Sequence, residues 1–311
     1  MTTTPTEPAP RRRTPLEDTM NPDISRRNLF RGALMLGGVV AVGGALSACT
    51  TTEPGGPQAG EGGGLLERAR QQGIRVAIGN EPPYTEIAAD GTVTGAEPDV
   101  LRAVCNRMGI DQVEGITTGY DSMIPGLQAN RWDVIAAGLF MKQSRCAEVQ
   151  YASPVIVSTE SFGVAEGNPM DITTIADVLE RPELRIGVVP GGFEQGILET
   201  AGVPAQQIIN VTDARGGADA LAANRIDAFL LPTLSLRELA GLEVTDPIED
   251  APSTGSSAAF RREDTDFFEA YDTELEAFKQ TPEFDEILER WGFDPTVVDG
   301  VTTEELCANE G

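Results

Sequence analysis

The sequence predicts an α/β protein of two lobes, each built on a mostly parallel sheet flanked by helices. Three observations predict this fold class: short runs rich in Val and Ile, amphipathic segments between those runs, and a segment that occurs twice. The length of 311 residues suits two lobes of ordinary size. A hydrophobic content of 40% is enough to build their cores.

The predicted strands are short apolar runs of the kind that are buried on both faces. They cover residues 74–78, 134–137, 186–189 and 226–231. Helical patterns lie between them, such as the apolar face formed by Val100, Leu101, Val104, Cys105 and Met108. This alternation of strand and helix is typical of a mostly parallel sheet.

One segment occurs twice in similar form. Residues 127–135, Leu-Gln-Ala-Asn-Arg-Trp-Asp-Val-Ile, are echoed by residues 221–229, Leu-Ala-Ala-Asn-Arg-Ile-Asp-Ala-Phe. Each copy predicts a helix end, a tight turn and a buried strand, and together they predict two lobes with one βαβ layout. Chance, or common helix-to-strand turn chemistry, is the alternative. Because ligands bind outside the carboxyl ends of the strands in such sheets, we expect a cleft between the lobes.

Residues 1–48 have the pattern of an export signal. Residues 25–31, Ser-Arg-Arg-Asn-Leu-Phe-Arg, resemble a twin-arginine signal, and the apolar run at 32–46 leads into a lipobox that ends at Cys49. That run is shorter than the roughly 20 residues of a transmembrane helix, which is the alternative. We therefore expect lipidation of Cys49 and a protein anchored at the outer face of the cytoplasmic membrane, on the cell surface or in the periplasm. Residues 49–64 predict a flexible tether.

Composition argues against several classes of protein. A formal net charge of -26 repels phosphate backbones, so nucleic acid is not an expected partner. Such a charge fits either a saline habitat or an ordinary acidic secreted protein. The sequence has no histidine, which excludes Ser/His and Cys/His catalysis. No cysteine spacing resembles a zinc or iron-sulfur site, and we expect neither metal nor cofactor.

Several motifs in a fixed order resemble a known family. They are Ile-Arg-Val-Ala-Ile at 74–78, Glu-Pro-Pro-Tyr at 81–84, a turn into a helix at 95–99, Asp-Val-Ile-Ala-Ala-Gly at 133–138, and Arg145. This order resembles the extracellular solute-binding proteins of family 3, over roughly residues 70 to 292. The resemblance implies the type 2 periplasmic binding fold, with interlobe crossings near residues 158–164 and 253–260. Lobe 1 is then expected at 65–160 and 255–311, and lobe 2 at 161–254.

Within that family the chain most resembles the binding subunits of ectoine and hydroxyectoine importers. The residues that carry this likeness are Glu81, Tyr84, Tyr120, Phe140, Arg145 and the tail at 302–307. The resemblance implies capture of a small zwitterionic compatible solute, in the service of osmoprotection, and delivery to the permease and ATPase subunits of an ABC transporter. It implies no enzymatic activity, and we expect a monomer.

Arg145 is the expected partner of a ligand carboxylate. It follows the turn at residues 138–143, after a predicted strand, where a ligand binds in such folds. A guanidinium presents a planar fork that binds a carboxylate in two places. A surface arginine paired with one of the many acidic side chains is the alternative. Lys142, in the same turn, joins the candidate binding residues.

Three aromatic rings, Tyr84, Tyr120 and Phe140, follow different predicted strands of the first lobe. Rings attract a diffuse cation through their π faces, by about 0.5 to 2 kcal/mol for each contact, so the three predict a cage for the positive end of the ligand. Core packing is the alternative, above all for Phe140. Glu81 is expected to accept hydrogen bonds from N–H groups of the ligand, unless it is a solvated surface residue.

The second lobe is expected to contribute Gly192, Phe193 and Gln195. Backbone N–H groups at 191–193, at a predicted helix N-terminus, would hold the carboxylate from the second side, and Phe193 would form a fourth wall. The segment lacks the Ser or Thr that often meets a carboxylate in this family. Family members that bind amino acids usually carry an aspartate where Pro232 and Thr233 stand here, which disfavours an α-amino acid because its ammonium would be poorly paired.

Three cysteines remain besides Cys49. We expect a disulfide between Cys146 and Cys307, which would tie the C-terminal tail to the first lobe beside Arg145. Cys105 lies on the apolar helical face and is expected to be buried and free.

Other functions stay open from the sequence. A binding protein for a polar amino acid or an opine is one alternative. A cyclohexadienyl dehydratase-like enzyme has the same fold and would need positioned acid or base groups, for which Glu81 or Glu194 are available. A sensor or adhesion lipoprotein without transport is a further alternative.

Overall fold

The computed structural model describes residues 64–309. The export signal expected at 1–48, the lipidation of Cys49 and all but the last residue of the expected tether lie outside the described residues. Within residues 64–309, no helix combines the length and the apolar character that crossing a membrane requires.

The elements alternate along the described chain. The strands are β1 (Ile74–Ile78), β2 (Glu86–Ile87), β3 (Val93–Thr94), β4 (Val113–Thr117), β5 (Val134–Ile135), β6 (Gln150–Tyr151), β7 (Ile156–Ser158), β8 (Glu160–Val164), β9 (Ile186–Val188), β10 (Ile208–Asn210), β11 (Ala228–Pro232), β12 (Glu243–Val244), β13 (Thr254–Ser256) and β14 (Ala259–Phe260). The helices are α1 (Leu65–Gln72), α2 (Ala96–Arg107), α3 (Tyr120–Gln128), α4 (Gln143–Cys146), α5 (Ile175–Glu180), α6 (Phe193–Thr200), α7 (Ala214–Ala222), α8 (Thr233–Arg237), α9 (Thr265–Phe278), α10 (Pro282–Arg290) and α11 (Thr303–Cys307), with a 3₁₀ turn at Pro295–Val298.

The strands form two five-stranded sheets, one for each lobe. Their orders are β4-β1-β5-β14-β6 in the first and β10-β9-β11-β8-β12 in the second. In each sheet three strands run parallel and the fourth, β14 or β8, pairs antiparallel with the third. The same arrangement is therefore built twice, which confirms the predicted α/β fold of two lobes with mostly parallel sheets.

The chain passes between the sheets along two neighbouring strands. Strands β7 and β13 pair antiparallel, with Ser158 opposite Thr254. The first crossing lies at the beginning of the predicted 158–164 region, because β8 already belongs to the second sheet from Glu160 onward.

The repeated sequence segment forms the same corner in both lobes. The asparagine of each copy ends its helix in the left-handed region, with φ of 56° and 55°. Asp133 accepts hydrogen bonds from the backbone N–H and the guanidinium of Arg75 on β1. Asp227 accepts the same two kinds of bond from Arg185, the residue before β9. The repeat therefore reflects a shared βαβ layout.

The strand ends differ from those predicted, except in β1. Strand β5 stops at Ile135 because the chain turns away at Gly138, where φ is 64°. Strand β11 begins only at Ala228, since the side chain of the preceding residue, Asp227, is hydrogen-bonded to Arg185 in the turn before the strand.

Candidate functional site

A small pocket lies where residues that follow the parallel strands of both sheets meet. It has a volume of about 220 Å³ and is lined by Glu81, Tyr120, Gly138, Phe140, Arg145, Gly192, Phe193, Glu194 and Pro232. Only about 10 Å³ of this space is open to the centre of a water-sized molecule, so the pocket is nearly closed.

Arg145 lies in this pocket, on the short helix α4, and only 7% of its surface is exposed. Its Nη1 donates to the carbonyl of Phe140 at 2.6 Å, and its Nη2 donates to the carbonyl of Gly191, in the second sheet's lobe, at 2.6 Å. Burial lowers the pKa of Arg145 from its ordinary value, yet a guanidinium stays charged in proteins. A fixed positive charge therefore faces the pocket between the lobes.

Three aromatic side chains line the pocket, and they come from both lobes. Phe140 and Phe193 meet edge to face, with ring centroids 6.0 Å apart. Tyr120, at the start of α3, is the third ring in the lining. Lys142 is placed differently from expectation, because its Nζ lies 5.8 Å from the Phe193 ring centroid and it is not part of the pocket lining.

Tyr84 does not join the other rings at the pocket. Its ring packs edge to face against Phe140, at 5.6 Å, and against Phe293, at 5.0 Å. Its hydroxyl is hydrogen-bonded to that of Ser158 at the first crossing. Tyr84, which was expected to form one wall of the cage, is thus a buried ring that packs against Phe140. It does not reach the pocket because Phe293 covers it.

Glu81 is a buried carboxylate in the pocket, with 6% of its surface exposed. It accepts a hydrogen bond from the hydroxyl of Ser235, on α8 of the second lobe, at 2.8 Å, and one from Tyr120 at 3.3 Å. The Tyr120 hydroxyl also lies 3.2 Å from the carbonyl of Ala137. Burial raises the pKa of Glu81 despite these donors. Glu81 is therefore not a solvated surface residue.

The backbone N–H groups expected to hold a carboxylate from the second lobe are largely engaged within that lobe. The N–H of Gly191 donates to the side chain of Gln195 at 3.1 Å, and that of Gly192 donates to the carbonyl of Val189 at 3.0 Å. Gln195 therefore supports the turn before α6 and does not line the pocket.

Glu194 is a pocket residue that the sequence did not single out as a ligand contact. It lies in the first turn of α6 with 4% of its surface exposed. Burial, together with the nearby carboxylate of Glu81, raises the pKa of Glu194 to about 7. The sequence feature that could have identified Glu194 is its position directly after Phe193, at the start of a helix that was expected to face the cleft.

Glu97, in the first turn of α2, does not line the pocket but is hydrogen-bonded to Gly138, a residue that does. One of its oxygens accepts hydrogen bonds from the backbone N–H of Gly138, at 2.7 Å, and from the hydroxyl of Ser256, at 3.0 Å. Burial raises the pKa of Glu97 to about 7. This carboxyl links the turn that carries Phe140 to the second crossing strand.

The C-terminal tail is bonded to the helix that carries Arg145. Cys146 and Cys307 form a disulfide with their Cα atoms 5.9 Å apart, which is the pairing expected from the sequence. The Asn309 side chain donates to the carbonyl of Ser253, just before the second crossing strand. Cys105 is buried and free, as expected, and burial raises the pKa of its thiol to about 12.

Comparison with known proteins places the chain in a family. It matches the bacterial extracellular solute-binding proteins, family 3, over residues 74–294. It is 31% identical over 260 residues to a probable amino-acid ABC transporter periplasmic-binding protein of Sinorhizobium fredii, covering 78% of this chain and 86% of that one. ABC transporter arginine-binding protein 1 of Escherichia coli is 24% identical over 221 residues, covering 68% and 86%.

Solved structures show the same fold. EhuB in complex with hydroxyectoine is 41% identical, has a TM-score of 0.76, and is matched over 78% of this chain and 98% of its own. The ancestral amino acid-binding protein AncCDT-1, a precursor of cyclohexadienyl dehydratase, is 20% identical with a TM-score of 0.64 over 73% and 98% of the two chains, a likeness that concerns the fold alone. The chain belongs to the bacterial extracellular solute-binding proteins of family 3, and is a solute-binding protein of an ABC transporter.

Proposed function

We propose that this protein is the lipid-anchored binding subunit of an importer for ectoine or hydroxyectoine, and serves osmoprotection. One observation carries the proposal: a pocket of about 220 Å³ combines one guanidinium, two carboxyls and three aromatic rings drawn from both lobes. This set matches a small molecule with a carboxylate at one end and a delocalised cation at the other.

Arg145 is the group that would bind the carboxylate. A guanidinium carries five N–H donors, and the contacts with Phe140 and Gly191 use two of them. In a buried site a charge-assisted pair of this kind is strong and directional.

The remaining lining suits an amidinium better than an ammonium. Phe140, Phe193 and Tyr120 offer ring faces or edges to a planar cation, and Glu81 and Glu194 offer oxygens to its N–H groups. Pro232 also lines the pocket, at the position where the resemblance leads us to expect an aspartate in amino acid binders. The hydroxyectoine found with EhuB supports the same class of ligand.

A ligand screen tests this proposal. Thermal unfolding of the purified protein is followed with ectoine, hydroxyectoine, betaines, polar amino acids and opines, and hits are measured by calorimetry. A ligand that binds the native state raises the melting temperature by mass action. We expect the two ectoines to give the largest shifts, and a larger shift with an amino acid or opine would overturn the assignment.

A binding protein for a polar amino acid is the second candidate, since the relative from Sinorhizobium fredii bears that description. The same screen separates the two. No specific observation favours the dehydratase alternative, because the likeness to AncCDT-1 concerns the fold alone.

The lipid anchor has its own test. Palmitate labelling in cells should mark the wild-type protein and not the Cys49→Ala variant. Replacing Arg26 and Arg27 by lysine should keep the protein inside the cell. Labelling that persists in the Cys49 variant would contradict the anchor, and export of the double lysine variant would contradict the twin-arginine route.

A further inference from the structure

Ser235 carries a buried hydroxyl that the proposed ligand contacts do not use, and this hydroxyl reaches from one lobe to the other. Ser235 lies on α8, directly after β11 of the second sheet, with 1% of its surface exposed. Its Oγ donates a hydrogen bond at 2.8 Å to Oε1 of Glu81, which follows β1 of the first sheet. Glu81 lines the pocket and Ser235 does not. Any effect of Ser235 on a ligand therefore acts through Glu81.

The side chain of Glu81 takes its orientation from both lobes. Its backbone is fixed within the first lobe, because its N–H donates to the carbonyl of Thr85 at 2.9 Å and its carbonyl accepts from the Thr85 N–H at 3.1 Å. The second carboxyl oxygen accepts from the Tyr120 hydroxyl at 3.3 Å, but that hydroxyl also lies 3.2 Å from the carbonyl of Ala137. A tyrosine has one hydroxyl proton, which these two acceptors share. The shorter bond from Ser235 is therefore the stronger constraint on the carboxyl.

The structure has the two lobes in direct contact. Gly191, before α6 in the second lobe, lies so close to α3 of the first lobe that a Cβ added to it would stand 2.6 Å from the backbone nitrogen of Asp121. Real Cβ atoms do not approach a backbone atom so closely, so no room is left here for a nearer approach. The bond between Ser235 and Glu81 is therefore a contact of the closed form.

Helix α8 would carry Ser235 away from Glu81 when the lobes part. Thr233, the first residue of the helix, donates its backbone N–H to the carbonyl of Thr159 at 2.8 Å, and its hydroxyl is hydrogen-bonded to that of Ser161 at 2.8 Å. Strand β8, which contains Ser161, belongs to the second sheet. The helix is thus fixed to the second lobe, and opening would break its bond to Glu81. Contacts present in only one of two forms decide how far the equilibrium between them shifts.

We propose that Ser235 is a positioning residue that couples closure of the lobes to the orientation of Glu81, by donating a hydrogen bond to its carboxyl in the closed form. This inference rests on the proposed function in so far as Glu81 accepts N–H groups of the ligand. Closure then directs this carboxyl at the positive end of the ligand. Since a buried acceptor that loses its donor is costly, the bond also stabilises the closed form.

A double-mutant cycle separates this coupling from mere packing. Ser235→Ala should weaken ectoine binding by about 10-fold, in line with the loss of one hydrogen bond to a buried carboxyl. In a Glu81→Ala background the same substitution should change the affinity by less than about 2-fold, because the acceptor is already gone.

Ser257→Ala is the matched control. Ser257 also has 1% of its surface exposed, and its hydroxyl has no hydrogen-bond partner among the residues that the structure describes. This variant removes the same hydroxyl without removing a bond between the lobes, so it should bind ectoine like wild type.

Stopped-flow kinetics test the stage at which the bond forms. A contact made on closure, after the ligand has entered, acts on release. Ser235→Ala should therefore raise the dissociation rate of ectoine by about 10-fold and leave the association rate within about 2-fold of wild type. Wild-type affinity in Ser235→Ala would overturn the proposal. An equal loss of affinity in the two backgrounds would overturn it as well, and so would a loss that lies in the association rate.

Two further outcomes keep the test decisive. If Glu81→Ala binds ectoine too weakly for the cycle, the rates of Ser235→Ala and Ser257→Ala decide. If wild type fails to bind ectoine, the proposed function falls, and the same variants are titrated with the betaine, amino acid or opine that stabilises wild type most in the ligand screen. Unequal losses in the two backgrounds would then still support coupling through Glu81, and equal losses would overturn it.

Discussion

The Nη2 atom of Arg145, in the first lobe, lies 2.6 Å from the carbonyl oxygen of Gly191 in the second. The side chain that we expect to bind the ligand carboxylate therefore also joins the two lobes. In proteins that close around a ligand, contacts made only in the closed form decide how far the equilibrium shifts. We therefore expect ligand capture and closure of the lobes to depend on the same guanidinium.

The first prediction concerns Arg145→Ala. A buried carboxylate that loses its charged partner costs about 2 to 5 kcal/mol of binding free energy, so the affinity for ectoine should fall by about 30-fold or more. Titration calorimetry measures this loss of affinity. The exposed Arg131→Ala should bind like wild type. Affinity within a few-fold of wild type in Arg145→Ala would remove this residue from the site.

The second prediction concerns the aromatic lining. Phe193→Leu keeps an apolar side chain but removes a ring, which should weaken binding by about 0.5 to 2 kcal/mol. Phe278, which is buried away from the pocket against Phe284, provides a matched control. Phe278→Leu should lower the melting temperature and leave the affinity unchanged. Equal affinities in wild type and Phe193→Leu would exclude the ring from the cage.

The third prediction is a pH dependence of stability that comes from Glu97. Because its pKa is raised to about 7 by burial, the native state holds this proton more tightly than the unfolded chain does. The contribution of Glu97 to stability is therefore greatest below about pH 4.5, falls as the pH rises from about 4.5 to about 7, and is lost above that. Between about pH 5 and pH 8 the loss due to Glu97 should be about 2 to 3 kcal/mol.

Urea unfolding of wild type and Glu97→Gln at those two pH values measures this effect. The variant should lose less stability over the interval than wild type does, while Glu166→Gln, at an exposed position, should behave like wild type. An unchanged pH dependence in Glu97→Gln would assign the effect to other buried carboxyls.

The fourth prediction concerns the disulfide. The bond between Cys146 and Cys307 closes a span of 161 residues, and breaking such a bond typically costs about 2 to 4 kcal/mol of stability. A reductant should therefore lower the free energy of unfolding, and it should also weaken ligand binding because α4 loses its anchor beside Arg145. The Cys105→Ala variant should keep the full response to reductant. If reduction of the disulfide changes neither the free energy of unfolding nor the ligand affinity, the disulfide has no such stabilising role.

The fold was largely predictable from local pattern. The two repeated segments, around Asp133 and Asp227, each contain the residues of their own turn and of the strand that follows it. The structure has the same local fold at both, with each aspartate accepting a backbone hydrogen bond from an arginine. The strand ends were less predictable, because β5 ends where the chain turns into the pocket. The insertion of β14 into the first sheet depends on pairing between residues that are far apart in sequence.

The positions of Phe140 and Arg145 in the pocket lining were predictable, because both residues follow a buried strand and the turn after it. The site was not predictable where a role depends on distant partners. Glu97 contacts Ser256, 159 positions away, and Tyr84 is covered by Phe293. Among 49 acidic residues, residue type alone does not single out Glu97 or Glu194.

The tail contact at Asn309 makes this end of the protein a natural place for a fluorescent reporter. Asn309 accepts a backbone hydrogen bond from Gln143 on α4 and donates one to Ser253 next to the second crossing. A dye coupled here would sense a change in the angle between the lobes without touching solute.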